Sequence, residues 1–319
     1  MKEWLKVVWF FVIPSVLWSQ KIDHQVLYRD IGADRYFRFN YENDFFAASD
    51  ENYTQGYNFE LVSPALEGNP LNYIFYKPRN AEYKYGLALE HIGFTPNDFV
   101  SPEIQFGDRP FAAAIMLKSF STATVTKKAS RLSQSISLGL IGPGAFGKEM
   151  QVGIHELTGN KIPRGWNNQI KNDVIVNYKL NYEKQLYAYR NLMVLRASTS
   201  LQLGSLFTNL STGFNTSIGI LKSPFTKGKD RSNFQVYLYA QPLVSAIGYD
   251  ATLQGGLFNK KSLYTITSGE LERFTAQFDY GIILKTGSLF FEYARTTLTK
   301  EFKTGNSAKW GGFKIGFAF

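Results

Sequence analysis

Between residues 174 and 184 the chain reads VIVNYKLNYEK, and the apolar positions recur at every second residue. Val174, Val176, Tyr178, Leu180 and Tyr182 share one face of an extended strand, with Asn177, Lys179, Asn181 and Glu183 on the other. Successive side chains of a strand point to opposite faces, so such a segment must lie between an apolar and a polar medium. The pattern returns throughout the chain after residue 34. Phe37, Phe39 and Tyr41 oppose Arg38, Asn40 and Glu42, and Tyr57, Phe59 and Leu61 oppose Asn58 and Glu60. The runs 234-FQVYLYAQ-241 and 313-FKIGFAF-319 alternate as well. The periodicity predicts strands near 35–43, 53–63, 82–92, 109–121, 131–142, 173–187, 192–204, 207–221, 233–247, 274–285, 288–299 and 309–319. An even number of strands returns both ends of the sheet to the same side. The fifth strand has a poor register, and 249–273 reads as a loop or a strand extension.

A soluble antiparallel sheet also alternates. Here the polar face carries charges along its length, as a wetted lumen would. The final strand ends on Phe319, an ending that resembles the assembly signal of outer-membrane barrels. Aromatic residues make up 16% of the chain, 19 Tyr and 27 Phe among them, which suits aromatic girdles at two membrane interfaces. After the first twenty residues no run approaches the roughly 18 apolar residues a spanning helix needs. The expected fold is all-β: a twelve-stranded antiparallel transmembrane β-barrel with a short helix in an extracellular loop.

The start, MKEWLKVVWFFVIPSVLWSQ, reads as a signal peptide over 1–19, leaving a barrel domain over 20–319. Its apolar run is too short for an anchor and Pro14 interrupts it. A net charge of +9 is scattered through alternating segments with no nucleic-acid motif, so no nucleic-acid partner is expected. The chain has no cysteine, which excludes thiol nucleophiles and thiolate metal sites. The expected assembly is a monomer.

In an up-and-down order the unusual polar clusters fall at one mouth. They are 43-NDFF-46, 53-YTQG-56, 107-GDRPFAAA-114 and the long segment 143–172. In that segment 145-AFGKEMQVGIHEL-157 can form a helix that puts Gln151 and His155 four apart on one face. Pro163 and Gly165 end it before 166-WNNQ-169. A connection of this length with its own helix is usually functional. Asn43 and Asp44 offer hard oxygens suited to Ca²⁺ or Mg²⁺. Asp50 and Glu51 read as further ligands or as a solvated loop tip. Of three histidines, His24 reads as a tail residue, His91 as a rim or lumen residue, and His155 as a base or a helix residue bonded to the wall. There is no HExxH, EF-hand spacing or GxSxG elbow. A metal, one histidine and water remain, and these suffice for ester hydrolysis.

The combination NDFF, YTQG, GDRPFAAA, IGPGAFGKEMQVGIH and GWNNQ, in this order, resembles the outer-membrane lipid A 3′-O-deacylases (LpxR-like). The resemblance implies a twelve-stranded barrel with its active site between the wall and a helical extracellular loop. It also implies a Ca²⁺-dependent mechanism like that of phospholipase A2, acting on lipid A of lipopolysaccharide in the outer membrane. By motif, Asn43 and Asp44 correspond to the metal pair and Thr54 to the threonine of Tyr-Thr-x-Gly. Gln151 and His155 correspond to the Gln-x-x-x-His helix, with His155 as general base. Asp108 and Arg109 correspond to a structural or substrate-contact element. Two departures stand out. The loop 94-FTPNDFVSPEIQF-106 contains no base where the family has a Lys/Arg cluster for lipid phosphate, and Lys161 stands where the family has an acid six past the histidine. Lys161 or Arg164 would then supply the missing charge. A broader phospholipase-type ester hydrolase and a non-catalytic pore are the competing expectations.

Overall fold

A computed structural model describes residues 24–47, 52–225 and 234–319. The expected signal peptide, Asp50 and Glu51 lie outside the described residues. Twelve strands form one closed antiparallel barrel: β1 (Tyr36–Asn43), β2 (Asn52–Val62), β3 (Glu82–Thr95), β4 (Ala112–Val125), β5 (Ser130–Ile141), β6 (Asp173–Tyr189), β7 (Met193–Gly204), β8 (Phe207–Ile220), β9 (Gln235–Asp250), β10 (Phe274–Thr286), β11 (Leu289–Leu298) and β12 (Ala308–Ala318). Each strand pairs with its sequence neighbours, and β1 pairs with β12, Tyr36 opposite Ala318 and Asn43 opposite Gly311. No helix among the described residues is long and apolar enough to cross a membrane.

The apolar set of each strand faces outward. Leu117, Leu138, Val176, Leu210, Ile218 and Leu238 are all more than two-fifths exposed. An apolar belt this extensive on the outer surface calls for a lipid environment. At the end carrying the termini, β4–β5, β6–β7 and β10–β11 are joined by short turns. Long connections crowd the opposite end, as on the extracellular side of outer-membrane barrels. The weak register of β5 has a local cause. Gln134 occupies an outward position, and Tyr76 of the β2–β3 connection covers it by bonding both ends of its amide.

The lumen is packed, which corrects the expectation of a wetted channel. Residues from His24 onward run inside the barrel. His24 is therefore no free tail: it is 6% exposed and its carbonyl accepts a bond from Arg38. Burial pushes its imidazole pKa well below the usual histidine value, helped by Lys314. Arg29 is fully buried against Glu292 at 2.8 Å, and the Tyr28 hydroxyl donates to Gln241 at 2.7 Å. The wall contributes its own buried pairs, Arg38–Glu60 at 2.7 Å and Lys118–Glu90 at 2.5 Å. Buried charges persist when they are paired in this way. Toward the extracellular end, Tyr53, Phe94, Met116, Phe207 and Trp310 form an apolar layer across the interior. The short helix α2 (Ala251–Gln254) and the chain after it, through Leu253, Ile266 and Leu271, pack on Phe302 above that layer.

Two outcomes follow from the filled interior. The full chain in a planar bilayer shows no unitary conductance, and stable open steps would contradict the seal. Arg29→Met leaves Glu292 without its main partner and lowers stability by about 3–5 kcal/mol, read from urea unfolding in lipid vesicles.

Candidate active site

The sequence 107-GDRPFAAA-114 ends in three alanines because β4 must be approached closely from both sides. Ala112 and Ala114 point into the interior layer, while Ala113 points outward into a cluster with Phe99, Phe111, Ala145 and Trp166. Against that outer surface rests helix α1 (Gly147–Thr158). Gly147 makes the contact possible: a β-carbon there would lie 2.4 Å from the Ala113 methyl and 2.7 Å from the Trp166 ring. The helix therefore lies beside the rim, on the outside of the wall.

Gln151 and His155 share a face of α1, as their spacing requires. Gln151 is 1% exposed and accepts a 2.7 Å bond from Trp166 Nε1, and its own Nε2 has no partner. His155 is half-buried, with its ring edge-on to Phe99 at 5.6 Å. Gly159, at φ 70°, ends the helix in the left-handed conformation that glycine tolerates. The chain then hooks back, with Asn160 N–H donating to the His155 carbonyl at 2.9 Å. The hook brings the Lys161 carbonyl 2.6 Å from His155 Nδ1. A carbonyl only accepts, so Nδ1 carries a proton, and in the neutral ring the lone pair is on Nε2. Lys161 thus supplies through its backbone an acceptor at the place where the sequence pattern led one to look for an acid. The side chains of Lys161 and Arg164 are exposed.

On the neighbouring wall, Asn43 Nδ2 donates to the Thr54 carbonyl at 2.5 Å, and its Oδ1 accepts from Phe45 N–H at 2.8 Å. Thr54 sits at an irregularity in the β2–β3 register, and its hydroxyl meets that of Thr95 at 2.5 Å. Asp44 begins a 3-10 turn packed against β12 and is 3% exposed. The set of oxygens is hard, as Ca²⁺ prefers. Among the described residues no three His, Cys, Asp or Glu converge on one point, so a cation here would lean on neutral oxygens beside Asp44. That donor set fits Ca²⁺ and does not fit Zn²⁺.

The structure thus places the wall group (Asn43, Asp44, Thr54) and the helix pair (Gln151, His155) at the same rim. The wall group belongs to the β1–β2 turn and the helix to the β5–β6 connection, with β3 and β4 between them. Asp108 and Arg109 lie apart. Arg109 is 1% exposed inside the mouth, bonded to Glu301 at 3.0 Å and Thr252 at 3.2 Å, and stacked 4.1 Å over Phe94. Asp108 accepts from Asn97 N–H, and its carbonyl accepts from Tyr264. These bonds tie three extracellular connections together, which is the structural alternative for this motif. The base-free loop 94–106 backs the helix: Phe99 supports His155, its carbonyl accepts from Arg164 N–H at 3.1 Å, and the Pro102 carbonyl accepts from Asn168 at 2.8 Å.

His91 faces outward at the rim, in keeping with the rim half of its reading and against the lumen half. It is 4% exposed, and its Nε2 bonds the Ala145 carbonyl at 2.9 Å, pinning the start of α1 to the wall. Thr95, Phe99 and Trp166 have no individual role assigned from the sequence. The parity of β3 places residues 91, 93 and 95 on one face and was the available signal for Thr95. Below α1 an outward-facing groove of about 380 Å³ is lined by Tyr57, Phe59, Leu89, Ile115, Phe146 and Met150, among others.

A closed barrel with a lipid-facing belt and a helix docked on its outer rim defines an outer-membrane β-barrel protein with a surface site. The family profile described as outer membrane protein LpxR matches residues 6–319, and the chain belongs to that family. Among solved structures it is similar to LpxR from Salmonella typhimurium, at 18% identity over 89% of this chain and 100% of that one, with a TM-score of 0.73. The β-domain of the Bordetella autotransporter BrkA follows at 8% identity, covering 90% of this chain and 100% of that one, with a TM-score of 0.47. No curated protein matches the sequence.

Enlarging Ala113 to Leu drives α1 from the wall while the strand ladder stays intact. The expected result is faster proteolytic cleavage within 143–168 with normal heat-modifiable migration of the barrel. Unchanged cleavage would show that the helix is held elsewhere.

Proposed function

We propose that this barrel is a lipid A deacylase that removes an ester-linked acyl chain, that of the 3′-position, at the extracellular surface of the outer membrane. Family membership suggests the activity. The observation that carries the chemistry is the 2.6 Å bond between His155 Nδ1 and the Lys161 carbonyl. In the neutral ring it leaves Nε2 as a base at a half-buried position on the lipid side of the wall. No second histidine among the described residues has this combination, since His24 and His91 are buried.

The acyl chain passes from the bilayer into the groove beneath α1, where close packing against Tyr57, Phe59, Leu89 and Ile115 holds it. Its ester then meets the rim. Asn43, Asp44 and the Thr54 carbonyl would hold Ca²⁺, which would supply positive charge to polarise the ester carbonyl. His155 Nε2 takes a proton from water as the oxygen attacks the carbonyl carbon. The imidazolium that forms is stabilised by the Lys161 carbonyl dipole. His155 then returns the proton to the departing sugar oxygen as the C–O bond breaks, leaving a free fatty acid and a sugar hydroxyl. Gln151, buried and bonded to Trp166, fixes the face of α1 that carries His155. Lys161 and Arg164 project outward beside the base and contact the lipid A phosphates. The protein acts as a monomer.

The base-free backing loop favours a second reading, an acyl-ester hydrolase that also accepts phospholipid. Purified protein offered lipid A and phospholipid separates the two by which one loses a chain.

His155→Ala abolishes acyl loss in mass spectra of extracted lipid A while the barrel still assembles, and persistent acyl loss would remove His155 as the base. Chelating Ca²⁺ and Asp44→Ala have the same effect on activity, and activity that survives both would discard the cation. Lys161→Ala keeps the backbone acceptor, so it raises KM severalfold with kcat nearly unchanged. A fall in kcat without a change in KM would contradict that division of roles.

A further inference from the structure

The periplasmic end of the lumen holds a feature that ester hydrolysis does not use. A cavity of about 520 Å³ opens there between the inner segment Leu27–Asp34 and the wall. Its lining includes Lys84, Arg196 and Lys285, with Asp30 as the carboxylate facing them and the exposed Asp34 and Glu82 at its edge. Asp30 is already shared: Lys84 lies 3.2 Å from it and Arg131 3.1 Å. Lys285 reaches only the Asp30 backbone carbonyl and lies over the Tyr237 ring.

Arg196 is the decisive side chain. It is 2% exposed and is bonded through Nη1 alone, to Asn215 at 3.0 Å and Ser217 at 3.3 Å. Its Nε has no hydrogen-bond partner. Glu183 lies on the other side of Asn215, which donates to it at 3.2 Å. The side-on edge formed by Nε and Nη2 is the fork that grips a planar or tetrahedral oxyanion with two parallel bonds. A buried cation with that edge unused, near a half-buried ammonium, costs free energy until an anion arrives.

We propose that this cavity is a binding site for a phosphate-class oxyanion, held by the free edge of Arg196 and by Lys285. The anion bridges strands β7 and β10 and neutralises the charge around the inner segment, fastening that segment in the barrel. A free phosphate and the phosphodiester of a lipid headgroup at the periplasmic rim present the same chemistry.

The test uses the purified full chain in neutral detergent. It is titrated with sodium phosphate at constant ionic strength and, separately, with a soluble short-chain phosphatidylglycerol. Calorimetry reads binding and thermal unfolding reads stabilisation. The expected result is saturable one-to-one binding in at least one arm, with a matching rise in Tm. The tighter arm identifies the source. Arg196→Met and Lys285→Gln each weaken binding by about tenfold, a loss typical of one charge-assisted contact. Lys285 is only half-buried, so its variant decides the matter if Arg196→Met does not fold. No saturable binding by the wild-type chain in either arm overturns the proposal, and so does unchanged affinity in the folded variants.

Discussion

Hydrocarbon offers no partner to a backbone N–H or C=O, so a sheet that spans a bilayer must bond every such group to itself. The pairing of β1 with β12 meets that demand. Closure in turn forces each strand to present one face to lipid and one to the lumen. The lumen face carries charges that cannot remain unpaired once they are shut away from water. Arg29, Arg38, Glu60, Glu292 and Lys314 answer one another there, with the inner segment contributing Arg29. The filled interior follows from charge pairing, and the rigid cylinder follows from the ladder.

A rigid, sealed cylinder puts any lipid chemistry on its outside. The proposed site draws on two kinds of support. The wall holds Asn43 and Thr54 to within the tolerance of a strand, whereas Gln151 and His155 come from a connection that has to be docked. Docking depends on small residues: Ala113 on β4 and Gly147 on α1 let helix and strand approach closely, and Trp166 fills the remaining space. His91 adds a polar pin at Ala145. Loop 94–106, free of bases, serves as backing, with Phe99 pressed against the His155 ring.

In the proposed mechanism the hook after α1 gives a backbone carbonyl the place of an acidic side chain. A carboxylate and a carbonyl both accept a bond from Nδ1 and so select the same tautomer. The carbonyl carries only a dipole, so it stabilises the imidazolium less. What the hook needs is a left-handed residue at 159 and a return over two residues, and Gly159 provides the first.

Much of the barrel was legible because period-two alternation is a local property. All twelve strands lie within a few residues of the alternating runs, and the weak run over β5 is where Tyr76 folds back on Gln134. The helix 147–158 and the proximity of Gln151 to His155 were legible for the same reason, since both depend on neighbours four apart. His24, Arg109 and Thr95 were not. Their surroundings come from residues 14 to 192 positions away in the chain, and alternation does not say which side chain folds back into a lumen. By itself the sequence determined the strands, their inward and outward faces, and the residue types gathered at one rim. Only the tertiary structure decided that the lumen is filled, that α1 lies outside the wall, and that a backbone carbonyl holds His155. Each of these depends on which distant surfaces come within a few ångströms, a matter of volume and long-range pairing that no local periodicity encodes.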